Sequence, residues 1–212
     1  MPPSAHAGPP NLTDAKAEIA GEKAALRKIL QARRAGAAAD ALVAHVAGAA
    51  LASLFPETLI PPPGAVVAAY IPFRSEISPL DILGATEARG CITALPRTPP
   101  KGAGLPLSFH VIPPGTVLQK SAFGVLESPA DAPVIEPDLV LVPLLGFDRL
   151  GYRLGYGQGH YDRTLMALRA RRPITAVGLA WACQEVDRIP ADAFDQRLDW
   201  VVTENEAIGP LR

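Results

Sequence analysis

The chain has 212 residues, 49% hydrophobic and 19% charged, enough for one domain with a full core and too apolar for a disordered chain. Twenty basic residues stand against 21 acidic ones, a formal net charge of −1, which argues against a basic nucleic-acid binder and an acidic solvating tail. No apolar run is long enough to cross a bilayer, and the opening MPPSAHAGPPNL has neither the charged start nor the apolar centre of a signal peptide. No nucleic-acid or membrane partner, a cytoplasmic location and a monomer are therefore expected. Cys91 and Cys183 lie far apart in sequence; they match no metal spacing and read as small buried apolar residues.

Residues 1–13 are rich in Pro, Ala and Gly and are expected to form a flexible tail ahead of one domain over 14–212. A helix is predicted from Asp14 to Arg34, with Thr13 as N-cap, acidic residues early and basic residues late. Ile19, Leu26 and Leu30 share one face of it; Lys23 and Arg27 border that face. A second, buried or half-buried helix is predicted over 40–54. After the proline-stiffened connector at 61–63, VVAAYI (66–71) reads as a buried strand. Ser78-Pro79 starts a helix that ends near Arg89-Gly90. CITALP (91–96) and LSFHVI (107–112) are predicted strands, and 113–137 is expected to be irregular. LVLVPL (139–144) is a strand, ended by Pro143. A helix follows over 160–171, then strands over 174–180 and 200–203. Alternation of helices with uniformly apolar strands predicts an α/β fold: a single three-layer α/β/α domain with a largely parallel sheet.

The most informative segment is RLGYGQGHYDR, Arg153 to Arg163. It lies between a predicted strand and a predicted helix, where glycine-rich loops hold phosphates with backbone N–H groups and the helix dipole. It is neither a Walker A loop nor a dinucleotide fingerprint, since the third glycine of that fingerprint would fall on His160. On spacing alone, a phosphate loop and a tight turn both remain open.

The longer string LVPLLGFDRLGYRLGYGQGHYDRTL resembles the signature of the 5-formyltetrahydrofolate cyclo-ligase family, P-x-x-[AG]-F-D-x-x-G-x-R-L-G-x-G-x-G-Y-Y-D. Pro143, Gly146, Phe147, Asp148, Gly151, Arg153, Leu154, Gly155, Gly157, Gly159, Tyr161 and Asp162 fit it, and His160 stands where the family usually has tyrosine. Lys23 and Arg27 match a family K-x-x-x-R helix. YIPFRSEISP (70–79) resembles [YF]-x-x-x-x-E-[IV]-x-[TP]. Asp195 and LDWVVTE (198–204) resemble a family aspartate followed by L-D-x-[VI]-[VI]-T-E. FGVLES (123–128) resembles G-[IV]-x-E-P, with Ser128 in place of proline.

The resemblance implies ATP- and magnesium-dependent closure of 5-formyltetrahydrofolate to 5,10-methenyltetrahydrofolate, with ATP as co-substrate. It implies ATP binding by Lys23, Arg27, Arg153, Leu154, Gly155, Tyr156, Gly157, Gln158, Gly159, His160 and Tyr161, with Arg153 also catalytic. It implies folate contacts from Ile71, Glu76, Tyr156, Gly157, Gln158, Gly159 and His160, and Mg2+ ligation by Asp162 and Asp195. The acidic stretch 184–206 adds negative charge near those aspartates. A folate- and nucleotide-binding relative without turnover, or an ATP-dependent enzyme acting on another formyl substrate, are the alternative readings; an assay of turnover separates them.

Overall fold

A computed structural model describes residues 12–113, 115–121 and 124–211. Its elements in chain order are α1 (Leu12–Ala37), α2 (Ala41–Leu54), β1 (Val66–Ala68), α3 (Leu80–Glu87), β2 (Ile92–Arg97), β3 (Ser108–Val111), β4 (Gln119–Lys120), β5 (Leu126–Glu127), β6 (Leu139–Pro143), β7 (Gly146–Phe147), β8 (Arg153–Leu154), α4 (His160–Arg169), β9 (Thr175–Leu179), β10 (Trp200–Val202) and β11 (Ala207–Ile208).

Seven strands form one sheet in the order β11-β10-β9-β6-β1-β2-β3. The five central strands run parallel, and the edge strands β3 and β11 pair antiparallel with β2 and β10. The largely parallel sheet predicted from the apolar strands is therefore present, with antiparallel edges that the sequence reading did not identify. Strand alternation sorts the core into two layers. Val67, Leu139, Leu141, Val177, Leu179 and Val202 face one cluster, with Leu51 of α2 and Ile82 and Leu83 of α3. Val66, Ala68, Val140, Val142, Ala176 and Val201 face the other, with Leu165 and Leu168 of α4. Helices on both faces of the sheet make the three-layer domain.

Local chemistry sets the element ends. Asp40 caps α2 by accepting hydrogen bonds from the Leu42 and Val43 N–H groups at 2.7 and 3.1 Å. The α2 helix buries only Ala47, Gly48 and Leu51, and leaves Leu42, Val43 and Val46 exposed. Ser78 Oγ accepts from Leu80 N at 3.3 Å, and α3 begins one residue after the proline expected to open it. The first helix begins at Leu12, so Thr13 lies inside it rather than capping it; the rest of the proposed tail, 1–11, lies outside the described residues. Cys91 is buried, but Cys183 is exposed, which corrects the expectation that both are core residues. Among the described residues no single helix is long and apolar enough to cross a membrane.

Two short hairpins escaped the sequence reading, β4–β5 within 113–137 and β7–β8 just after the central strand β6. The second one builds the site. Asp148 is fully buried and accepts from the N–H groups of Leu150, Tyr152 and Ile189 at 2.9–3.0 Å. It therefore shapes the turn that delivers Arg153, and pairs with neither Arg149 nor Arg153. Leu30 of α1 packs on Leu154 and Ile189, which holds the first helix against this hairpin.

Candidate active site

The glycine segment leads into α4 as the sequence pattern predicts, but the strand directly before it is β8 of the short hairpin and not the predicted strand 139–144. Gly157 has φ 97°, and a Cβ there would meet the Arg27 guanidinium carbon at 3.3 Å. Gly159, the residue before α4, has φ 63°, and a Cβ there would meet Arg163 Nη1 at 2.9 Å. Both positions thus require glycine for backbone conformation and for close approach of an arginine. Arg27 Nε donates to Gly155 O at 2.9 Å, and Arg163 Nη2 donates to Gln158 O at 2.7 Å. Two guanidinium groups, one from α1 and one from α4, therefore fasten the loop.

The loop walls a cavity of about 520 Å³. Every site residue named from the sequence lines it: Lys23, Arg27, Ile71, Glu76, Arg153 to Asp162, and Asp195. They come from four separate parts of the chain. Further lining residues that the sequence reading did not name include Tyr70, Phe73, Arg74, Thr98 and Glu127. A signal existed for Glu127, which falls on the matching glutamate of the FGVLES segment. It is buried, accepts from Thr98 N at 3.1 Å and lies 3.6 Å from Arg97 Nη1.

At one end of the cavity, cations and carboxylates are already paired. Lys23 Nζ lies 2.5 Å from Asp195 Oδ2 and 3.3 Å from Asp192 Oδ2. Arg153 Nη2 lies 2.6 Å from Asp162 Oδ1, which also accepts from Gln196 N at 3.1 Å. Arg153 donates in addition to Gln196 O. The Asp192 carboxyl is held below its usual range, first by the Phe194 N–H it accepts from, with Lys23 adding to the effect. Lys23 and Arg153 are buried side chains with partners, not the solvated surface cations their charge alone would give.

The other end is organised by Arg34, which sequence analysis treated only as a basic residue near a helix end. Arg34 is 2% exposed. Its Nε donates to Ser75 Oγ at 3.0 Å, Nη1 donates to Leu144 O at 3.2 Å, and Nη2 donates to the Tyr156 hydroxyl. Nη1 also lies 3.7 Å from Glu76 Oε1. The signal for it was positional: Arg34 follows Lys23, Arg27 and Leu30 at helical spacing on the buried stripe.

Glu76 Oε2 accepts from Phe73 N at 2.9 Å. Burial raises its pKa, opposed by the Phe73 N–H and then by Arg34. The folded state holds the Glu76 proton more tightly than the unfolded chain, so this group's contribution to stability declines as pH rises from the ordinary carboxylate value through the raised one. Glu76→Gln mimics the protonated form. Thermal melts of wild type and Glu76→Gln should converge near pH 4, and wild type should melt lower than the variant at pH 8.

His160, first residue of α4, has a pKa lowered by burial and by the Arg163 charge, and its Nδ1 sits 3.4 Å from Arg163 Nη2. Tyr161 is raised well above its usual value, chiefly by burial, so it lines the cavity as a neutral phenol.

A second cavity of about 430 Å³ adjoins the first, lined by Gln31, Arg34, Ala35, Ala38, Arg74, Ser75 and Tyr156. Arg74 and Tyr156 border both. Arg74 is the one non-glycine residue of positive φ among the described residues, at 58°, a conformation that costs an L-residue roughly 1–2 kcal/mol.

The sequence matches the model of the 5-formyltetrahydrofolate cyclo-ligase family over residues 19–204. The 5-formyltetrahydrofolate cyclo-ligase of Mycolicibacterium smegmatis is 36% identical over 155 residues, 70% of this chain and 78% of that protein. The Haemophilus influenzae cyclo-ligase is 32% identical over 133 residues, 61% of this chain and 70% of that protein. Among solved structures, the 5,10-methenyltetrahydrofolate synthetase of Aquifex aeolicus aligns with a TM-score of 0.68 and 29% identity, over 90% of this chain and 93% of that one. The synthetase from Mycoplasma pneumoniae aligns with a TM-score of 0.63 and 25% identity, over 86% and 98%. The family match extends from within α1 past β10, across every segment that lines the cavity, and the chain belongs to the 5-formyltetrahydrofolate cyclo-ligase family.

Proposed function

We propose that this cyclo-ligase family member converts 5-formyltetrahydrofolate to 5,10-methenyltetrahydrofolate in one cavity, using ATP and magnesium and releasing ADP and phosphate. The observation that carries the reading is the convergence of Lys23, Arg27, Ile71, Glu76, the 153–162 segment and Asp195 on that cavity. Its two ends suit the two reactants, one built from charge pairs and the other from Glu76, Ile71 and aromatic side chains.

The formyl group is amide-like and a poor electrophile. In the proposed reaction its oxygen attacks the γ-phosphorus of ATP, the bond to ADP breaks, and an imidate phosphate forms. The N10 amine then attacks the activated carbon, the C–O bond to phosphate breaks, and the N10 proton leaves to solvent. Phosphoryl transfer needs alignment and charge neutralisation more than covalent help. Lys23, Arg27 and Arg153 supply the cations, and the Gly155–Gly159 backbone with the start of α4 supplies N–H donors. In this reading the phosphates take over Lys23 and Arg153 from Asp195 and Asp162, so the aspartates are released as the cations are recruited. The Glu76 carboxyl accepts from pterin N–H groups, Ile71 packs on the ring, and the 156–160 turn separates folate from nucleotide.

Among the described residues no group of three or more His, Cys, Asp and Glu side chains has a metal-holding arrangement. A nucleotide-borne magnesium ion needs only one or two carboxylates, the rest of its ligands being phosphate oxygens and water. Asp162 and Asp195, hard oxygen donors on one cavity, fit that requirement and would hold it. Bound there, magnesium would neutralise charge on the transferring phosphate.

The test is a mixing assay with 5-formyltetrahydrofolate, ATP and magnesium, followed by the absorbance of the methenyl product. Product formation with matching release of ADP is expected; its absence at high enzyme concentration sinks the reading. Lys23→Met is expected to raise KM for ATP by about tenfold or more, the loss of one charge-assisted contact, with little change in KM for folate. A rise confined to the folate KM would remove Lys23 from the nucleotide end.

A further inference from the structure

The cavity assigned to the reaction accounts for the pterin and the triphosphate, but the second cavity beside it has no role in that chemistry. The position of this cavity is set by α1. Lys23 and Arg27 face the first cavity, while Gln31, Arg34 and Ala35 face the second. Arg34 lies 11 residues beyond Lys23, about 16 Å along the helix axis at ~1.5 Å per residue. The second cavity is therefore at the end away from the charge-paired aspartates and next to Glu76, whose carboxylate Arg34 contacts. A folate bound with its pterin at Glu76 has one part left to place, the p-aminobenzoyl-glutamate arm, which carries carboxylates.

Two arginines line the second cavity, and they differ in what they have left to offer. Arg34 is spent: Ser75, Leu144 O, the Tyr156 hydroxyl and Glu76 surround its guanidinium. Arg74 is exposed, with its guanidinium over the Phe73 ring at 4.9 Å from the centroid, and is in none of the ion pairs among the described residues. It stands at the border of both cavities on the left-handed backbone noted above. That conformation is disfavoured for a bulky side chain and clusters at ligand sites. Stacking on Phe73 fixes the plane of a group whose fork of donors matches a carboxylate.

We propose that the second cavity is a subsite for the anionic tail of the substrate, with Arg74 receiving a carboxylate of the glutamyl portion and Tyr156 dividing it from the pterin end. The proposal rests on the folate reading of the first cavity and adds a residue that the family signature does not name. It makes Arg74 a determinant of which folates are bound well, not of the chemical step.

The experiment titrates binding of 5-formyltetrahydrofolate and of a glutamate-free counterpart without any carboxylate, the primary amide of 5-formyltetrahydropteroate, to wild type, Arg74→Asn and Arg74→Lys. Asparagine tolerates the left-handed conformation, so it removes the charge without adding backbone strain. Arg74→Asn should raise Kd for the glutamate-bearing compound about tenfold, as expected for loss of one charge-assisted contact, and leave Kd for the glutamate-free compound within about twofold of wild type. Arg74→Lys should recover part of the difference, and the recovered part should shrink as salt is raised. Equal weakening of both compounds, or of neither, overturns the tail subsite. Wild type that binds and turns over the glutamate-free compound keeps the folate reading whichever way that comparison falls; wild type that binds neither compound overturns the folate reading and the subsite together.

Discussion

Arg153→Ala should lower kcat roughly 10³-fold, the scale seen when a preorganised charge at a transferring group is removed. Arg153 is 7% exposed, sits on β8 immediately before the glycine loop, and forms an ion pair with Asp162 at 2.6 Å. A cation so placed has given up water for a carboxylate and a backbone carbonyl. In the proposed reaction it reaches phosphate oxygens without first having to be desolvated. Removing it strips charge from the transition state and leaves Asp162 without its counter-ion. Arg153→Lys keeps the charge but loses the fork of donors, so it should fall between the two. The measurement is kcat and KM for ATP on folded protein, checked by circular dichroism. A kcat within a few fold of wild type, with normal folate affinity, would take Arg153 out of the chemistry and leave it a structural clamp on the loop.

The second large effect is on stability. Arg34→Ala should destabilise the fold by about 3–5 kcal/mol, because it leaves Glu76 as a buried carboxylate without its counter-charge and removes the donors to Ser75 Oγ and the Tyr156 hydroxyl, while Leu144 O keeps only the Gln184 side-chain amide. Side chains of Arg34 and Glu76 are 2% and 7% exposed, so water cannot substitute. The loss should be greatest at pH 8 and shrink toward pH 4, since protonated Glu76 has no charge to compensate and its pKa is already raised by burial. Denaturant unfolding across that range measures it. The double variant Arg34→Met with Glu76→Gln should recover much of the loss, as neutral replacement of a buried pair is often tolerated. A pH-independent loss would mean that Arg34 acts through packing and its carbonyl bond alone.

Much of the site was readable because its pieces are local. The glycine run carries its own reasons: Gly157 and Gly159 have positive φ and make room for Arg27 and Arg163, and any sequence that builds this turn must show them. Lys23 and Arg27 were identifiable through the family K-x-x-x-R resemblance, since spacing beside an apolar stripe by itself favours a solvated face; the carboxylate partners of the buried Lys23, Asp192 and Asp195, are 169 and 172 residues away. Arg34 was missed for the same reason in reverse. A late basic residue on a helix has a ready local explanation in the dipole, and only Ser75, Leu144 and Tyr156, each far along the chain, mark it as internal.

The same division holds for the fold. Uniformly apolar strands alternating with helices announced a covered parallel sheet, because a strand buried on both faces has no polar side to show. Edge strands β3 and β11 and the two hairpins carry little pattern, being only two to four residues long, so their direction waited on their neighbours. Residue types, the turn chemistry of 153–163 and the family of the chain were determined by the sequence itself. Which cation neutralises which carboxylate, how burial raises Glu76, and the presence of a second cavity with Arg74 at its rim were decided only by tertiary structure. Charge energies depend on distance and on exclusion of water, and neither is a property of neighbours along the chain.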